Sequence, residues 1–405
     1  MAKRSSHEQQ KNSEASSKHG KLTALSLLIC LVITGILLAT QGNLLAKQNQ
    51  RPTSRAGTVS NSPTLERLSP INPTKEYIYA GGKLVATEEP TPRITGDFDM
   101  DAAAEIGFYR NGTWGFLQSK QSYNTNTPVF FSWGGAGKTP IVGDFDGDGK
   151  SDIGYIEPAA GGQSAAYAIL LSSKGYSFAI GDPLFKPAGY PLQGDKQVYG
   201  DFDGDGKADP GVWRASDHVW TIPTSSSSYL QAISVQWGQN GDTPIVADFD
   251  GDGRADIGYY TGATGTWGIL KSSAHYSFNS PQYFSWGGND QLAVVGDFDG
   301  DALADIGYMV PPTGGQSATY AILLSSHGYS FAAGQALFVP AGWPSLGDTP
   351  VVADFDGDGK ADPAIWRASQ GVWIIPKSSS NYTSYIFALW GQQGDVPLPP
   401  GTSQY

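Results

Sequence analysis

The chain has 405 residues and a formal net charge of −12, with 38 acidic side chains, 26 basic side chains and a single cysteine. One cysteine excludes a disulfide scaffold and any thiolate metal cluster. The acidic balance argues against nucleic acid as a partner, because phosphate binding requires clustered Lys and Arg. Gly and Pro contribute 52 and 26 residues and aromatic residues 12% of the chain, a composition that favours strands and tight turns over long helices.

The first predicted element is a membrane segment. Residues 1–21 are polar and basic, and residues 22–46 contain no charged side chain. The apolar part of this run would span about 27 Å as a helix, which is close to the thickness of a hydrocarbon core. We predict a cytoplasmic segment at 1–21, a transmembrane signal-anchor at 22–46 and an extracytoplasmic remainder. The alternative is a cleaved signal peptide, which would make the protein secreted.

Residues 47–75 contain four prolines and eight Ser or Thr residues, and they are predicted to form a flexible linker. Residues 76–405 are built from repeats. The tripeptide Asp-Phe-Asp occurs six times, beginning at Asp97, Asp144, Asp201, Asp248, Asp297 and Asp354. The units start near residues 91, 139, 196, 243, 292 and 349. The second three units repeat the text of the first three.

Each unit predicts four short strands separated by Gly and Pro. A four-stranded unit of about 40–50 residues in six copies predicts an all-β fold, a β-propeller of six blades. A linear β-solenoid is the structural alternative, although its rungs are usually shorter. Residues 91–96 are predicted to supply the first strand of unit one. A hairpin at 77–86 and a strand at 396–401 could instead form a seventh, shared blade.

The repeated tripeptides open acidic loops of the form D-x-D-x-D-G-x-x-D. Carboxylates at loop positions 1, 3 and 5 converge on a cation, Gly at position 6 permits a left-handed turn, a carbonyl at position 7 donates, and the carboxylate at position 9 completes the shell. Oxygen ligands of this kind select Ca²⁺. The alternative is a set of solvated Asp-Gly turns.

The four intact loops are predicted to be strong Ca²⁺ sites. Their ligands are Asp144, Asp146, Asp148, Lys150 and Asp152; Asp201, Asp203, Asp205, Lys207 and Asp209; Asp248, Asp250, Asp252, Arg254 and Asp256; and Asp354, Asp356, Asp358, Lys360 and Asp362. Two loops carry Ala102 and Ala302 in place of the position-6 glycine, and they are predicted to be weaker. Their ligands are Asp97, Asp99, Asp101 and Glu105, and Asp297, Asp299, Asp301 and Asp305.

The acidic loops, their place between the first two strands of each unit and the unit length resemble FG-GAP/VCBS-repeat β-propellers, including the calcium-binding blades of integrin α-subunits. The resemblance covers residues 91–405. It implies the fold and the metal, and it leaves the activity open because this fold serves both binders and enzymes.

No catalytic site is predicted. His218, His275 and His327 do not hold one repeat position, and no nucleophile elbow appears. The acids outside the acidic loops are interpreted as solvated turn residues: Glu157, Asp182, Asp195, Asp217, Asp242, Asp290, Asp348 and Asp395.

The recurring tryptophans are interpreted as packing between blades, with sugar platforms as the alternative. They are Trp114, Trp220, Trp267 and Trp373 in the third strands, and Trp133, Trp237, Trp286 and Trp390 at the unit ends. Tyr190 and Trp343 lie in the long loops of units two and five, which are better ligand-site candidates.

These features predict a membrane-anchored, extracytoplasmic calcium-binding propeller. It would act as a binding or adhesion module for a protein or glycan partner. The alternatives are a carbohydrate-binding, lectin-like propeller and, as a further alternative, a hydrolase or lyase that uses the propeller as its scaffold.

Overall fold

The computed structural model describes residues 76–80, 83–88, 95–157, 166–179, 184–187, 194–288, 291–310, 319–332, 336–340 and 348–399. The predicted segments 1–21, 22–46 and 47–75 lie outside these residues. Within the described ranges, no helix has the length and apolar character needed to cross a bilayer.

The predicted four-stranded units are confirmed. In the described part of the chain, six four-stranded antiparallel sheets follow one another as the blades of a propeller. Strands β1 and β2, Glu76–Ala80 and Lys83–Glu88, pair only with each other there, so the predicted hairpin is a separate two-stranded sheet and not part of a seventh blade.

The strands of blades one to three alternate with short turns. Blade one contains β3 Ile106–Arg110, β4 Thr113–Leu117 and β5 Val129–Ser132; blade two contains β6 Thr139–Gly143, β7 Asp152–Glu157, β8 Ala166–Leu170 and β9 Leu184–Pro187; blade three contains β10 Lys196–Gly200, β11 Asp209–Arg214, β12 Val219–Pro223 and β13 Ala232–Gln236.

Blades four to six repeat this arrangement. Blade four contains β14 Thr243–Ala247, β15 Asp256–Thr261, β16 Thr266–Leu270 and β17 Gln282–Ser285; blade five contains β18 Leu292–Gly296, β19 Asp305–Val310, β20 Thr319–Leu323 and β21 Ala336–Pro340; blade six contains β22 Thr349–Ala353, β23 Asp362–Arg367, β24 Val372–Pro376 and β25 Tyr385–Leu389.

The ring closes through the C-terminus. The last strand, β26 Val396–Leu398, pairs antiparallel with β3 and completes blade one, in the place where residues 91–96 were predicted to lie. That prediction was wrong because the sequence offers two candidates for one strand position, and only the pairing partner distinguishes them. Closure from the opposite end of the chain covers the sheet edge that blade one would otherwise expose.

The hydrophobic core lies between the blades. Six clusters of buried side chains each join two neighbours, and the last joins blade six to blade one through residues such as Trp373 and Ile106. The Phe of the Asp-Phe-Asp tripeptide enters these cores, as Phe145 and Phe249 show with 2% and 3% exposure. Because this Phe is buried, it anchors each acidic loop to the core.

Backbone hydrogen bonds also link the acidic loops in a closed ring. The amide at loop position 8 donates to the carbonyl at position 1 of the preceding blade's loop, for example from Ser151 to Asp97 at 2.7 Å. The bond from Ala104 to Asp354, also 2.7 Å, joins blade one to blade six. All six acidic loops therefore lie at one end of the propeller in a fixed order.

Candidate metal centres

Each acidic loop leads into the second strand of its blade, in blades two to six from the first strand of the same blade, and its backbone folds around the position-1 carboxylate. In the loop of blade two, Asp144 Oδ1 accepts hydrogen bonds from the amides of Gly147 and Asp148 at 2.6 and 3.1 Å. Asp144 Oδ2 accepts a third from Gly149 at 2.9 Å. Gly149 has a φ of 88°, as predicted for position 6.

The two loops that lack this glycine adopt the same turn. Ala102 and Ala302 have φ values of 66° and 67°, and Met100 at position 4 of the first loop has a φ of 62°. Left-handed backbone costs a residue with a Cβ about 1–2 kcal/mol. The first loop therefore carries two strained residues and the fifth loop one.

The position-9 carboxylate is the most deeply buried member of each loop. Asp152 is fully buried, and its two oxygens accept hydrogen bonds from the amides of Phe145 at 2.8 Å and Ser172 at 2.6 Å. Burial raises the pKa of Asp152 and of Glu105 to about 8. The same cause raises the pKa of the equivalent carboxyls to about 7 in Asp209, Asp256, Asp305 and Asp362.

Three carboxylates converge in each loop. In the loops that begin at Asp144, Asp201, Asp248 and Asp297, oxygens from positions 1, 3 and 9 lie within 4.8 Å of one another. In the first loop Asp101 joins Asp97, Asp99 and Glu105. Two unit charges at 4.8 Å repel by about 3.5 kcal/mol at an effective dielectric constant of about 20. Such a cluster requires a cation or bound protons.

The position-3 carboxylate of several loops has one buried oxygen that accepts no hydrogen bond within the described part of the chain. One oxygen of Asp99, Asp250, Asp299 and Asp356, Oδ1 in each case, is buried and accepts no hydrogen bond from the described residues. The Asp356 side chain is 1% exposed, and its other oxygen, Oδ2, lies 3.9 Å from the Lys377 ammonium. An unpaired buried carboxylate oxygen is costly, and oxygen donors in this arrangement fit Ca²⁺. The residues present therefore fit the predicted metal.

Two serines between the third and fourth strands hold the acidic loop in place, a role that was not predicted from the sequence. In blade four, Ser272 Oγ donates to Asp252 at 2.9 Å, and Ser273 Oγ donates to Asp250. The signal was present as a Ser-Ser dipeptide at this position in five units: Ser172-Ser173, Ser225-Ser226, Ser272-Ser273, Ser325-Ser326 and Ser378-Ser379.

The position-5 carboxylates accept hydrogen bonds from groups within their own blade. Asp148, Asp205, Asp301 and Asp358 accept hydrogen bonds from the first serine and from a nearby loop amide, and Asp252 also pairs with Arg254. The predicted carbonyl role of Lys150, Lys207, Arg254 and Lys360 stays a prediction.

A tyrosine that recurs in the loop between the third and fourth strands was also not predicted to have a role. Tyr276 OH donates to the carbonyls of Phe202 and Ala255 at 3.0 and 2.9 Å, and so ties the acidic loops of two blades together. The equivalents are Tyr123, Tyr176, Tyr329 and Tyr382, each bonded to an acidic-loop carbonyl.

Several acids outside the loops are buried, which contradicts their interpretation as solvated turn residues. Asp348 is 6% exposed and Asp242 is 1% exposed. Arg367 Nε and Nη2 donate to Asp348 at 3.1 and 2.9 Å, and Arg214 contacts Asp195 in the same way at 3.1 and 3.0 Å. Arg110 forms the equivalent pair with Asp395. These pairs lie at the opposite strand ends from the acidic loops.

The tryptophans separate into two groups. The third-strand residues Trp114, Trp220, Trp267 and Trp373 are fully buried, which confirms core packing. The unit-end residues are partly buried and bridge to the next blade: the indole of Trp237 donates to Gly268 O at 3.1 Å, and that of Trp390 donates to Gly115 O at 3.3 Å.

Aromatic clefts accompany these bridges on the outer side of the propeller. The Trp237 cleft contains Tyr259, Phe278 and Tyr283, with ring centroids 5.3, 5.9 and 5.9 Å from the Trp237 ring. The Trp390 cleft contains Phe130, whose ring centroid lies 5.7 Å from that of Trp390. Phe278, Tyr283 and Phe130 are all more than half exposed.

An open pocket of about 530 Å³ lies between residues of blades six and one. Its lining includes Asn124, Thr125, Phe387 and Leu389. The predicted ligand residues Tyr190 and Trp343 lie outside the described residues. The histidines occupy turns in three different blades, and His218 and His275 have left-handed φ values of 61° and 53°.

No protein-family model and no curated protein matches the chain. Among solved structures, a lectin from Agrocybe aegerita, described as recognising non-reducing terminal N-acetylglucosamine, is similar with 14% identity and a TM-score of 0.43. The similarity covers 74% of this chain and 91% of the lectin. An identity of 14% says nothing about which ligand this chain binds.

Proposed function

We propose that the acidic loops of blades two to six bind Ca²⁺ and that the ions stabilise one end of the propeller. The observation that carries this proposal is the buried Oδ1 of Asp250, Asp299 and Asp356, which accepts no hydrogen bond in the part of the chain that the structure describes. Carboxylates at positions 1, 3 and 9 would hold each ion. Bound Ca²⁺ would supply the positive charge that these oxygens lack.

The role of these ions is structural. Each acidic loop is bonded to the loops of both neighbouring blades, so an ion that fixes one loop also supports the next. Calcium of this kind would preserve the geometry of the ring. Exported proteins meet Ca²⁺ at concentrations that suit modules with dissociation constants of about 10⁻⁴–10⁻³ M.

Thermal unfolding of the full-length chain tests the metal proposal. A ligand that binds only the folded state adds about 2.7 kcal/mol per site at a hundredfold excess over Kd. Melting should therefore occur at a clearly higher temperature in millimolar Ca²⁺ than in EDTA. Asp217 lies outside the acidic loops with a half-exposed side chain, and Asp217→Asn should show the same difference. An unchanged melting temperature in EDTA would exclude the proposal.

At the level of the whole protein, we propose a membrane-anchored, extracytoplasmic binding module. The support comes from the uncharged segment 22–46, the linker that follows it and the repeat architecture. Protease protection of the N-terminus in intact cells, with the propeller accessible from outside, is the expected result. Accessibility of the N-terminus with the propeller protected would contradict this orientation.

A second proposal is that the outer clefts bind carbohydrate. The supporting observation is the pair of aromatic clefts at Trp237 and Trp390, each with a half-exposed ring on the fourth strand of the following blade, Tyr283 or Phe130. Sugar rings present C–H faces that pack on aromatic rings, and the open pocket between blades six and one adds polar groups from Asn124 and Thr125. Such mixed surfaces suit a ligand that is apolar on one face and polar at its edges.

A glycan array with the full-length chain in Ca²⁺ tests this second proposal. Tyr283→Ala with Phe130→Ala should abolish reproducible glycan binding and leave the melting temperature unchanged. Leu230 is 87% exposed and belongs to neither cleft, so Leu230→Ala serves as the matched control. Retained glycan binding in the double variant would refute binding at these clefts, and an array with no binding would favour a protein partner.

A further inference from the structure

The first acidic loop differs from the other five in the residue that faces its position-3 carboxylate. In blades two to six this residue is the second serine of the Ser-Ser dipeptide, and its hydroxyl donates to position 3. In blade one the equivalent residue is Lys120. Its ammonium lies 3.1 Å from Asp99 Oδ1 and also donates to the carbonyl oxygen of Asp99.

Lys120 contacts the same oxygen that is left without a partner in other loops. Oδ1 of Asp99, Asp250, Asp299 and Asp356 accepts no hydrogen bond from the described residues. Among those residues, only the first of these has an ammonium group close to that oxygen, in an ion pair with Lys120 at 3.1 Å. The Lys377 ammonium lies 3.9 Å from the other oxygen of Asp356. The Asp99 side chain is 11% exposed, so this is a largely buried carboxylate provided with a positive charge by the chain itself.

The rest of the first loop has also changed. Asp101 has moved into the cluster with Asp97, Asp99 and Glu105, and positions 4 and 6 hold Met100 and Ala102 in left-handed backbone. Glu105, one methylene longer than Asp, reaches the amide of Phe98 at 2.6 Å and the hydroxyl of Ser119 at 2.9 Å. The first loop therefore departs from the other loops in the membership of its carboxylate cluster and in its backbone.

An ammonium group and a divalent ion would compete for Asp99. A Ca²⁺ ion bound to Asp99 Oδ1 would lie about 2.4 Å from that oxygen. Since the Lys120 ammonium is 3.1 Å from the same oxygen, the two cations could be no more than about 5.5 Å apart. They would repel each other across a single carboxylate.

We propose that the Lys120 ammonium is the resident cation of the first acidic loop, and that this loop folds without Ca²⁺ while the other five bind it. This inference rests on the proposed calcium binding of blades two to six. The first and last strands of the ring meet in blade one. With Lys120 as its cation, this blade would close the ring without Ca²⁺.

The number of Ca²⁺ ions bound per full-length chain tests the inference, measured by isothermal titration calorimetry together with elemental analysis after dialysis. We expect about five ions for the unchanged chain and about six for Lys120→Ser, by analogy with the other loops. The reciprocal variant Ser173→Lys introduces the ammonium beside Asp146 and should bind about four. Lys174→Ser changes an exposed lysine in the equivalent loop of blade two and should leave the number unchanged.

Any other number of bound ions contradicts either the role of Lys120 or the calcium proposal itself. Six ions in the unchanged chain, or five in Lys120→Ser, would overturn the role of Lys120 and leave calcium binding intact. Unchanged binding in Ser173→Lys would also overturn it, and this variant remains informative if Lys120→Ser fails to fold. Absence of Ca²⁺ from every variant would overturn both this inference and the calcium proposal on which it rests.

Discussion

The two ends of the propeller neutralise their buried aspartates in different ways. At one end, Asp348 and Asp195 each receive two hydrogen bonds from an arginine of the same blade, Arg367 or Arg214. At the other end, the buried carboxylates of the acidic loops face more carboxylates. Asp256, for example, accepts hydrogen bonds from the amides of Phe249 and Ser272.

This difference indicates which buried carboxylates have a counter-charge within the chain and which do not. An arginine–carboxylate pair carries its own counter-charge and can form in any ionic environment. A cluster of buried carboxylates without a basic partner depends on an ion from outside or on bound protons. The first acidic loop, with Lys120 beside Asp99, resembles the arginine-paired end in this respect.

The largest effect is expected where a buried pair is broken. Arg367→Met would leave Asp348, with a side chain 2% exposed, without its counter-charge, and the free energy of unfolding should fall by about 3–5 kcal/mol. Because the pair needs no ion, the loss should be equal in Ca²⁺ and in EDTA. Urea unfolding under both conditions measures it, and a loss present only in Ca²⁺ would remove the distinction between the two ends.

A smaller effect of opposite sign is expected in the acidic loops. Asp250→Asn keeps an acceptor for Ser273 and removes the charge from the unpartnered oxygen. In EDTA the variant should be more stable than the unchanged chain, because carboxylate repulsion is reduced. At a hundredfold excess of Ca²⁺ it should lose up to about 2.7 kcal/mol of the stabilisation by the ion. Urea unfolding with Asp217→Asn as control measures both, and equal destabilisation in both buffers would contradict the account.

The pH dependence of folding stability should also distinguish the acidic-loop end of the propeller from the end with the Arg–Asp pairs. Burial raises the pKa of Asp152 and Glu105 to about 8, and of Asp256 to about 7, from unfolded values near 4. Between about pH 4 and 8 the ion-free folded chain therefore binds more protons than the unfolded chain, so its stability falls as pH rises. Above about pH 8 this dependence should end.

Calcium binding should reverse that dependence, because the ion displaces the protons. Ca²⁺ binding near pH 7 should release protons, detectable by calorimetry in buffers of different ionisation enthalpy, and affinity should increase from about pH 6 to 8. Stability in EDTA that rises with pH over this range would contradict the assignment.

The smallest effect concerns backbone strain. Ala302→Gly relieves the left-handed residue in the fifth loop and should stabilise the turn by about 1 kcal/mol, which corresponds to Ca²⁺ binding about fivefold tighter if the strain opposes binding. Ala102→Gly should stabilise the fold without changing the number of ions bound. Calorimetric titration compares the two, and an unchanged affinity in Ala302→Gly would show that strain does not oppose binding.

Periodicity made the blades and the convergence of the acidic loops predictable. A register of carboxylates repeated six times fixes a loop whose backbone wraps around its first residue. Closure by β26 was harder, because that strand has three residues, includes Pro397 and pairs with a strand near the other end of the repeats. Local strand signals carry no information about such a partner.

Side-chain pairing across a blade also could not be predicted from the local sequence. Asp348 resembles a turn residue in its local sequence, and its partner Arg367 follows nineteen positions later, on the neighbouring strand. The role of Lys120 emerges only when the loop between the third and fourth strands is aligned with its five serine-containing equivalents. The charged residues could be read from the sequence, but which of them pair is known only from the register of the strands.

Anomalous scattering from a crystal grown in Ca²⁺, recorded at a wavelength where calcium scatters anomalously, tests the central claim most directly. We expect five peaks, one in each of blades two to six, among the carboxylates at positions 1, 3 and 9. We expect no peak beside Lys120 or at the Arg–Asp pairs. A map without peaks at Asp250, Asp299 and Asp356, whose buried Oδ1 atoms lack partners, would contradict the claim.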